Sequence, residues 1–461
     1  MQADIFYKTT CSDALPLSFL SKAEFQQQLP GLTPYEREHF AIQQFNGNLG
    51  QFAIIRNAKG RPEKIIIGTG DGHQALAMAH AATMIPPGHY YPESQLSEFA
   101  QISWGLAQYR FDRYKSADAL PRVLLLPKEK LDLLLPEIKA VFLVRDLINT
   151  PANDLSPEHL AEVVEKLANE HGGIFKQWVG NELLDDNFPA IHAVGRGSVK
   201  EPRLLSLTWG DAAHPKVTLL GKGVTFDTGG LDIKPSSGMR LMKKDMGGAA
   251  QVIGLASWLM AIQLPIRLQV LIPAVENSPG GDAYRPGDIL YMRNGLSVEI
   301  DNTDAEGRLI LADALCKACE EKPELLLDFA TLTGAARVAV GTEISALFTS
   351  DDELAIHLSK KGEEKFDPIW RLPLYGNYSS MLESTVADLV NCSASPYAGA
   401  ITAALFLQRF VDPGIPWAHF DIMAWNLGSK PGRPEGGEAM AMRAVGSFLL
   451  ERYGRRGSPI S

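Results

Sequence analysis

The segment VTLLGKGVTFDTGGLDIKPSSGMRLMKKDMGGAA, residues 217–250, contains the pattern that decides the fold. It begins with a nearly continuous apolar run (217–223), passes through a glycine-rich loop, and continues into a helical pattern that we predict over 240–261. Similar apolar runs recur at 268–275 and 325–332. Runs that are apolar on both faces are typical of strands buried between layers of helices. The pattern therefore predicts an α/β fold with helices on both faces of the sheet.

A hairpin signal follows the second of these runs. Asn294-Gly295 precedes the short apolar stretch SVEI (297–300), and the pair Asn-Gly is typical of tight turns between antiparallel strands. A further helical pattern follows over 308–320. We therefore expect the sheet to be mixed rather than purely parallel.

The N-terminal part of the chain alternates in the same way. KIIIG (64–68) predicts a strand, and the segment that starts at His73 has helical spacing. The glycines between them superficially resemble a dinucleotide-binding turn, but His73 stands where the third glycine would fall, so we interpret the segment as a turn only. An apolar helical pattern over 131–149 ends before Thr150-Pro151, and Ser156-Pro157 is a typical helix start.

These boundaries predict two domains. The smaller N-terminal α/β domain would comprise residues 1–130, a linking helix and junction residues 131–155, and the larger C-terminal domain residues 156–461. A chain of 461 residues exceeds one ordinary hydrophobic core, which agrees with this division.

Composition narrows the function classes. Apolar residues make up 45% of the chain and charged residues 21%, the balance of a soluble globular protein. No stretch approaches the roughly 18 to 20 apolar residues of a membrane span, and the N-terminus does not resemble a secretory signal. Four cysteines do not make a disulfide framework, which agrees with a cytoplasmic location. The net charge of -10 argues against general nucleic-acid binding.

Charged residues accumulate in two segments where a predicted strand gives way to a loop. Ligand sites of open α/β folds gather at such strand ends. The first segment is 221–250 and the second is 299–315. The candidate functional residues are Lys222, Asp227, Lys234 and Asp245 in the first segment, and Asp304, Glu306 and Arg308 in the second.

The four carboxylates among these residues indicate a metal site. Carboxylates that are brought together repel one another unless protons or cations compensate them, and four supply enough oxygen for two divalent ions. Neither segment contains histidine or cysteine, which favours Mn²⁺, Mg²⁺ or Zn²⁺ over ions that prefer soft ligands. A lysine can join such a site only as the neutral amine. Two ions about 3.5 to 4 Å apart can share a water, lower its pKa and polarise a carbonyl.

Simpler interpretations of the single residues stay open at this point. Asp227 could be an ordinary turn or cap residue, and Lys222 could be a solvated side chain. Arg308 could pair with Glu306. The residue types support a metal hydrolase, and a two-metal phosphoesterase satisfies them as well as a peptidase does.

The stretch NTDAEGRL (302–309) resembles the signature of the leucyl aminopeptidase family, the M17 metallopeptidases. GKGVTFDTGG (221–230), AYRPGD (283–288), DFATLTGA (328–335) and GAITAALFL (399–407) follow in the family's order, so the resemblance covers the C-terminal two-thirds of the chain. It implies a dinuclear-metal aminopeptidase that hydrolyses the N-terminal residue, leucine-like with a broad range, from peptides with a free N-terminus.

The resemblance implies two metal sites that share ligands. The ligands would be the Lys222 amine and the carboxylates of Asp227, Asp245, Asp304 and Glu306, with Asp227 and Glu306 bridging. The backbone carbonyl of Asp304 is a further expected ligand. The ions would be Mn²⁺ or Zn²⁺, with Mg²⁺ as a third candidate.

The remaining roles are also implied by the resemblance. Lys234 would polarise the scissile carbonyl, and Arg308 would hold a bicarbonate ion that acts as the general base. The carbonyl of Leu332 would accept a hydrogen bond from the peptide. The pocket for the first side chain would be lined by Met242, Thr331 and Gly334.

The family assembles as hexamers in the cytoplasm, so we expect a homohexamer that binds peptides, with no membrane partner and no nucleic acid. A DNA-binding or regulatory member of the same fold is the alternative from a different class. The sequence departs from the family at Thr228, where serine is usual, and at Leu231-Asp232, where Asp232 adds a carboxylate near the site.

Two motifs outside these segments have structural explanations. Cys316 and Cys319 have the spacing of a redox motif, but they lie on an apolar helical pattern, which favours buried thiols. His419 is isolated near a predicted strand, and we interpret it as structural.

Overall fold

The computed structural model describes residues 2–116 and 120–454. These residues fall into two compact units, the first within Met1–Phe142 and Gly428–Glu435 and the second within Leu143–Leu427 and Gly436–Ser461. The passage from the first to the second lies inside one long helix. The boundaries expected at 130 and 155 stay a prediction. Among the described residues, no helix has both the length and the apolar character needed to cross a membrane.

The first unit combines a sheet with helices. Its strands are β1 (Tyr7–Lys8), β2 (Leu15–Ser21), β3 (Phe52–Arg56), β4 (Pro62–Gly70), β5 (Gly88–Pro92) and β6 (Arg122–Leu125). Its helices are α1 (Lys22–Gln28), α2 (Pro34–Ile42), α3 (Gln74–Met84), α4 (Glu98–Leu106) and the long helix α5 (Lys128–Asn149), with short 3-10 helices at Ala3–Phe6 and Leu29–Gly31. The strand order is β1-β6-β5-β2-β4-β3, and the neighbours are parallel except β3 and β4. The predicted strand at 64–68 and the helix after it are confirmed.

The second unit is larger. Its strands are β7 (Ile174–Val179), β8 (Arg203–Trp209), β9 (Lys216–Gly221), β10 (Gly223–Asp227), β11 (Arg267–Asn277), β12 (Ile289–Tyr291), β13 (Ser297–Glu299), β14 (Leu325–Ala330), β15 (Ser345–Phe348), β16 (Ile369–Arg371), β17 (Leu389–Val390), β18 (Trp417–Asp421), β19 (Trp425–Asn426) and β20 (Gly436–Gly437). Its helices are α6 (Pro157–His171), α7 (Glu182–Asp185), α8 (Pro189–Gly195), α9 (Ser236–Met239), α10 (Gly247–Ala261), α11 (Glu306–Cys319), α12 (Gly334–Val340), α13 (Asp352–Glu364), α14 (Gly399–Gln408) and α15 (Met442–Tyr453). Met242–Met246 and Gly376–Leu382 form 3-10 helices.

The main sheet of this unit is mixed, as predicted. Its order is β16-β15-β18-β14-β9-β11-β8-β7, and β10 pairs with β11 as well. The central strands are parallel, whereas β8 is antiparallel to β11 and to β7, and β15 is antiparallel to β18. Helices α6 and α10 pack against each other and against the strands, α15 packs on α10, and α8, α11 and α14 form a second packed group.

The predicted hairpin exists, but its place in the fold was wrong. Strands β12 and β13 are antiparallel, and β13 then pairs with β17 in a separate three-stranded sheet. The main sheet is therefore mixed because β8, β15 and β16 run opposite to the central strands. Local turn chemistry specifies a hairpin without specifying which sheet receives it.

The sequence predicted a single strand over the apolar run 217–223, but the structure divides this run between two strands. The chain leaves the ladder at Lys222, whose N–H donates to the carbonyl of Phe329 and whose carbonyl accepts from the N–H of Ala249. Strand β9 therefore ends before this residue and β10 begins after it. The break lies at the centre of the sheet, between β14 and β11.

The helix predicted over 240–261 is also interrupted. Asp245 lies in the 3-10 helix Met242–Met246, and the α-helix α10 begins only at Gly247. The start of α10 packs its backbone directly against β14, since a Cβ on Gly248 would lie 2.0 Å from the carbonyl oxygen of Phe329. This close approach leaves no room for a side chain at position 248, in the first turn of α10.

Candidate active site

The side chain of Lys222 lies at the centre of the candidate site. It is buried, and its Nζ lies 2.8 Å from Oδ2 of Asp245 and 2.8 Å from Oε1 of Glu306. Gly307 leaves the space that this side chain occupies, because a Cβ there would lie 2.7 Å from Cε of Lys222. Burial lowers the pKa of Lys222, but the neighbouring carboxylates more than offset this, and the pKa lies above its usual value.

Three buried carboxylates surround this lysine. Asp227 at the end of β10, Asp245 in the 3-10 helix and Glu306 at the start of α11 offer oxygen atoms that all lie within 4.8 Å of one another. Burial and the charge of Asp245 raise the pKa of Asp227 to about 6. Burial and the charge of Asp227 raise the pKa of Glu306 to about 8. These shifts mean that the cluster needs cations to stay fully ionised at neutral pH.

The loop after β10 brings a second lysine to the cluster. Its turn uses Gly229 and Gly230, whose φ angles are +90° and +65°, a region that favours glycine. Lys234 then pairs through Nζ with Oδ2 of Asp227 at 2.8 Å and with the carboxylate of Asp304. Burial lowers the pKa of Lys234, but the charges of Asp227 and Glu306 and the hydrogen bonds to Asp227 and Asp304 together outweigh it, and the pKa lies above its usual value. This ammonium therefore keeps its charge.

Thr303 connects the two loops that carry these residues. Asp232 accepts through Oδ2 from the N–H of Thr303 at 2.7 Å and from its hydroxyl at 3.1 Å. Asn277 donates to Oδ1 of Asp227 at 2.9 Å and to the Thr303 carbonyl at 3.0 Å, and the hydroxyl of Tyr284 donates to the same carbonyl at 2.6 Å. Sequence reasoning missed Thr303, Asn277 and Tyr284. It noted Asp232 only as an extra carboxylate near the site.

Arg308 lies in the first turn of α11 and is 7% exposed. Its Nη1 donates to the carbonyl of Asn391 at 2.7 Å, whereas its Nε is buried and makes no hydrogen bond to any described residue. Within the described part of the chain it makes no ion pair with Glu306, so that simpler interpretation does not hold. Asn391 also accepts through its side chain from the N–H groups of Asp301 and Asn302. The sequence offered no signal for Asn391.

The residues expected to bind substrate lie on three neighbouring segments. Thr331 donates through its hydroxyl to Oδ1 of Asp245 at 2.7 Å, which places the end of β14 beside the carboxylates. Leu332 follows it and is half-buried. Met242 is half-buried at the start of the 3-10 helix, and Gly334 is exposed at the start of α12.

The two remaining motifs lie largely inside the fold. Cys319 is buried and Cys316 half-buried on α11, and both are free thiols. Burial raises the pKa of Cys319 to about 11, so this thiol is unreactive at neutral pH. His419 is completely buried, and its Nδ1 lies 2.5 Å from Oδ1 of Asp328. The prediction of buried thiols is confirmed for Cys319 and not for Cys316, and a structural role of His419 stays a prediction.

The donor set fits divalent cations. Among the described residues, the cluster of Asp227, Asp245 and Glu306 offers oxygen ligands close enough for one ion to bridge them. Asp245 Oδ2 and Asp304 Oδ1 are buried without a hydrogen bond, although a lysine ammonium stands near each of them. Hard divalent ions prefer such oxygen ligands.

Two family models match this chain. Residues 142–446 match the catalytic domain of the cytosol aminopeptidase family. Residues 15–127 match the N-terminal domain of M17 aminopeptidases.

Individual relatives agree along most of the chain. A probable cytosol aminopeptidase of Syntrophotalea carbinolica is 44% identical over 75% of this chain and 73% of its own length. One from Ehrlichia ruminantium is 35% identical over 89% of both chains. The solved structure of a cytosol aminopeptidase from Coxiella burnetii has a TM-score of 0.93 at 44% identity and covers 97% of this chain and 99% of its own. The bottromycin maturation enzyme BotP in complex with Mn has a TM-score of 0.86 at 34% identity, over 96% of this chain and all of its own.

Proposed function

The chain belongs to the cytosol aminopeptidase family (M17) and is a metallo-aminopeptidase, and on this basis we propose that the cluster around Lys222 is its active site. The observation that carries the proposal is the packing of three buried carboxylates within 4.8 Å of one another, with two lysines against them. The substrates would be peptides with a free N-terminus, leucine-like first residues being preferred within a broad range. A phosphoesterase and a DNA-binding role are not favoured, because the matching relatives are named as aminopeptidases.

Five residues would hold two divalent ions. They are Lys222, Asp227, Asp245, Asp304 and Glu306, with Asp227 and Glu306 shared between the ions, and the backbone carbonyl of Asp304 as a further donor. Lys222 would have to lose its proton to serve as a ligand, so binding of the metal would release a proton. When bound, two such ions lower the pKa of water and polarise a substrate carbonyl. Mn²⁺ is our first candidate, since BotP was solved with Mn, and Zn²⁺ and Mg²⁺ are the alternatives.

Lys234 would act on the scissile carbonyl. Its ammonium is held at the edge of the cluster by Asp227 and Asp304, and it is partly exposed. A fixed ammonium at this position can donate to the oxygen on which negative charge develops during hydrolysis. The fixed charge requires little reorganisation in the transition state, which is why such donors accelerate the reaction.

Arg308 would bind a bicarbonate ion. Its Nη1 donates a hydrogen bond to the Asn391 carbonyl, and its Nε is buried with no hydrogen-bond partner among the described residues. Arginine presents its donors in a planar fork that matches a planar oxyanion. The bicarbonate held there would be the general base of the reaction.

The N-terminus of the peptide would be recognised beside Asp245. This carboxylate would lie near the free α-amine, which accounts for the restriction to N-terminal residues. The carbonyl of Leu332 would accept a hydrogen bond from the peptide, and the first side chain would lie against Met242, Thr331 and Gly334. We also propose a cytoplasmic location, since the relatives are named as cytosol enzymes, and a homohexamer, which rests on the family resemblance alone.

One assay tests this function. Turnover of Leu-p-nitroanilide and of Leu-Gly is measured with and without added Mn²⁺, beside N-acetyl-Leu-p-nitroanilide and p-nitrophenyl phosphate. We expect Mn²⁺-dependent hydrolysis of the two unblocked substrates only. Equal cleavage of the acetylated substrate would contradict recognition of a free N-terminus, and turnover of the phosphate ester alone would restore the phosphoesterase.

A further inference from the structure

We propose that Asp421 is a positioning residue that aims the carbonyl of Leu332 at the N–H of the peptide bond to be cleaved. The proposal rests on the proposed function, which assigns a hydrogen bond from the peptide to this carbonyl. Asp421 would act through the backbone of the segment that follows β14 and would not itself touch the substrate. Its removal would therefore weaken the recognition of a peptide bond in particular.

Asp421 lies at the end of β18, beside the end of β14. The two strands are parallel, and Asp421 is the register partner of Ala330, the last residue of β14. The N–H of Ile422 donates to the carbonyl of Ala330 at 2.9 Å, so the two strands stay paired up to this point. The segment 331–334 therefore leaves the sheet directly beside Asp421.

Within the described part of the chain, the Asp421 carboxylate is hydrogen-bonded only to this segment. Its Oδ1 accepts from the N–H of Leu332 at 3.0 Å and from the N–H of Thr333 at 3.2 Å, and its Oδ2 accepts from the Thr333 hydroxyl at 2.6 Å. Asp421 is 2% exposed and makes no ion pair with any residue of 2–116 or 120–454. A buried carboxylate without a cation depends on such donors, so the carboxylate and the two residues hold one another in place.

This arrangement sets the direction of the Leu332 carbonyl. The carbonyl of Leu332 and the N–H of Thr333 belong to one planar, trans peptide unit, so they point in opposite directions. Because the N–H points at Asp421, the carbonyl points away from it. Leu332 is half-buried, and no group of the described residues donates a hydrogen bond to its carbonyl. This acceptor is therefore available to a ligand.

The other end of the segment is held by the carboxylate cluster. The hydroxyl of Thr331 donates to Oδ1 of Asp245 at 2.7 Å, and its carbonyl accepts from Nζ of Lys222 at 3.2 Å. Leu332 therefore lies between a residue that is held by the cluster and a residue that is held by Asp421. An acceptor that is fixed before binding loses little conformational freedom when the ligand arrives, and this strengthens binding.

The simplest substrate identifies the donor. The α-amine of Leu-Gly is assigned to the region beside Asp245, and the only other N–H of this dipeptide is that of the scissile bond. The Leu332 carbonyl would therefore accept from the scissile N–H. An ester in which oxygen replaces this N–H keeps the shape of the substrate but has no proton to donate.

The test compares the peptide with its ester on the Mn²⁺-loaded enzyme. We measure kcat/KM for Leu-Gly and for leucyl-glycolate, in which oxygen replaces the scissile N–H. Relative to the wild type, Asp421→Ala should lower the ratio of the peptide value to the ester value about fivefold to tenfold, the effect of one lost hydrogen bond. Asp421→Asn should keep the ratio of the wild type, because its amide oxygen can accept from both N–H groups and its NH₂ group can donate to the Thr333 hydroxyl.

Asp367 provides a matched control at the start of α15. It is also buried, and its carboxylate accepts from the N–H groups of Ala441 at 2.9 Å, Arg443 at 3.0 Å and Ala444 at 3.2 Å. Asp367→Ala therefore removes a similar set of hydrogen bonds. It should lower the thermal stability as Asp421→Ala does, but it should leave the ratio of peptide to ester unchanged.

A second variant keeps the test decisive if Asp421→Ala does not fold. Thr333→Val removes the hydroxyl that donates to Asp421 and leaves both backbone N–H groups in place. It should lower the ratio about threefold, since only part of the hydrogen bonding to Asp421 is lost. Thr333→Ser keeps the hydroxyl, so its ratio should equal that of the wild type.

The outcomes separate this proposal from the function on which it rests. If Asp421→Ala lowers kcat/KM for the peptide and for the ester by the same factor, Asp421 contributes only to folding and the proposal is wrong. A ratio that falls as far in Asp367→Ala as in Asp421→Ala contradicts it as well. A wild-type enzyme that hydrolyses neither Leu-Gly nor the ester overturns the proposed function instead.

Discussion

Asp232→Ala would remove the carboxylate that holds the loop of Asp304 in place. Asp232 is exposed, yet its Oδ2 accepts a hydrogen bond from the N–H of Thr303, which is completely buried. The single proton of the Thr303 hydroxyl has a nearer acceptor in the Gly229 carbonyl at 2.7 Å than in Asp232 Oδ2 at 3.1 Å. The backbone of Asp232 is tied to the same residue, because its N–H donates to the Thr303 hydroxyl at 2.9 Å. Thr303 precedes Asp304, so we expect the substitution to loosen that carboxylate while leaving the rest of the site intact.

The magnitude follows from the bonds that are lost. A hydrogen bond to a charged acceptor contributes roughly 1.5 to 3 kcal/mol, and we take the lower end because Asp232 is open to water. About 1.5 kcal/mol corresponds to about a tenfold change in a binding constant. This matches the losses of about 10- to 100-fold in metal affinity that follow when residues behind metal ligands are changed. We therefore expect Mn²⁺ to bind about tenfold more weakly.

The assay is a metal titration. The enzyme is stripped with a chelator, Mn²⁺ is added back, and Leu-Gly-amide turnover gives the midpoint for each variant. Asp232→Asn should recover most of the affinity, since its amide oxygen can still accept from the Thr303 N–H. Asp211→Ala is the matched control, because Asp211 is an exposed carboxylate that accepts from a backbone N–H, that of Ala213 at 2.9 Å, outside the site.

Two results would refute the reasoning. The first is an Asp232→Ala enzyme whose midpoint for Mn²⁺ equals that of the wild type. The second is an Asp232→Asn enzyme that folds, as judged by thermal unfolding, but binds Mn²⁺ as weakly as Asp232→Ala. Either result would mean that the Asp232 carboxylate does not support Mn²⁺ binding and contributes only to the stability of the loop.

Glu306→Ala should lose activity and bound Mn²⁺ together, because it removes one of the three clustered carboxylates. Metal analysis and Leu-Gly turnover, measured on the same sample, check this. An active variant that still binds its metal would disprove the assignment. Lys234→Ala should lower kcat by about 100-fold or more, the loss that is typical when one oxyanion donor is removed, and the variant should keep its metal. Loss of the metal would show that the roles of Lys222 and Lys234 were exchanged. Asp313, buried on α11, has its pKa raised by burial from 3.8 to about 7, so the stability that it contributes is full below about pH 4 and lost as the pH rises through 7. Asp313→Asn cannot titrate, so its stability relative to the wild type should rise between about pH 4 and about pH 7 in urea unfolding. A difference that stays constant over this range would contradict the raised pKa.

Much of the second unit could be predicted from local patterns. The predicted strands at 268–275 and 325–332 correspond to β11 and β14. Helix α6 begins at the predicted start, Ser156-Pro157. Such elements are predictable because apolar periodicity and helix capping act over a few neighbouring residues. The charged residues at strand ends were also visible, since parallel strands bring their carboxyl ends to one edge of a sheet.

Other features depend on residues that are far apart in the chain. The strand order β14-β9-β11 is one such feature, and in this arrangement Glu306 lies close to Asp227 and Asp245. In the same arrangement Lys222 departs from the regular pattern of backbone hydrogen bonds between strands. No local pattern encodes strand order, which is set by how whole helices and strands pack. For the same reason the structure was needed to show Thr303 as the connection between two loops. Lys222 is the clearest case: the sequence shows only a lysine near the end of a strand, and tertiary packing alone buries it between Asp245 and Glu306.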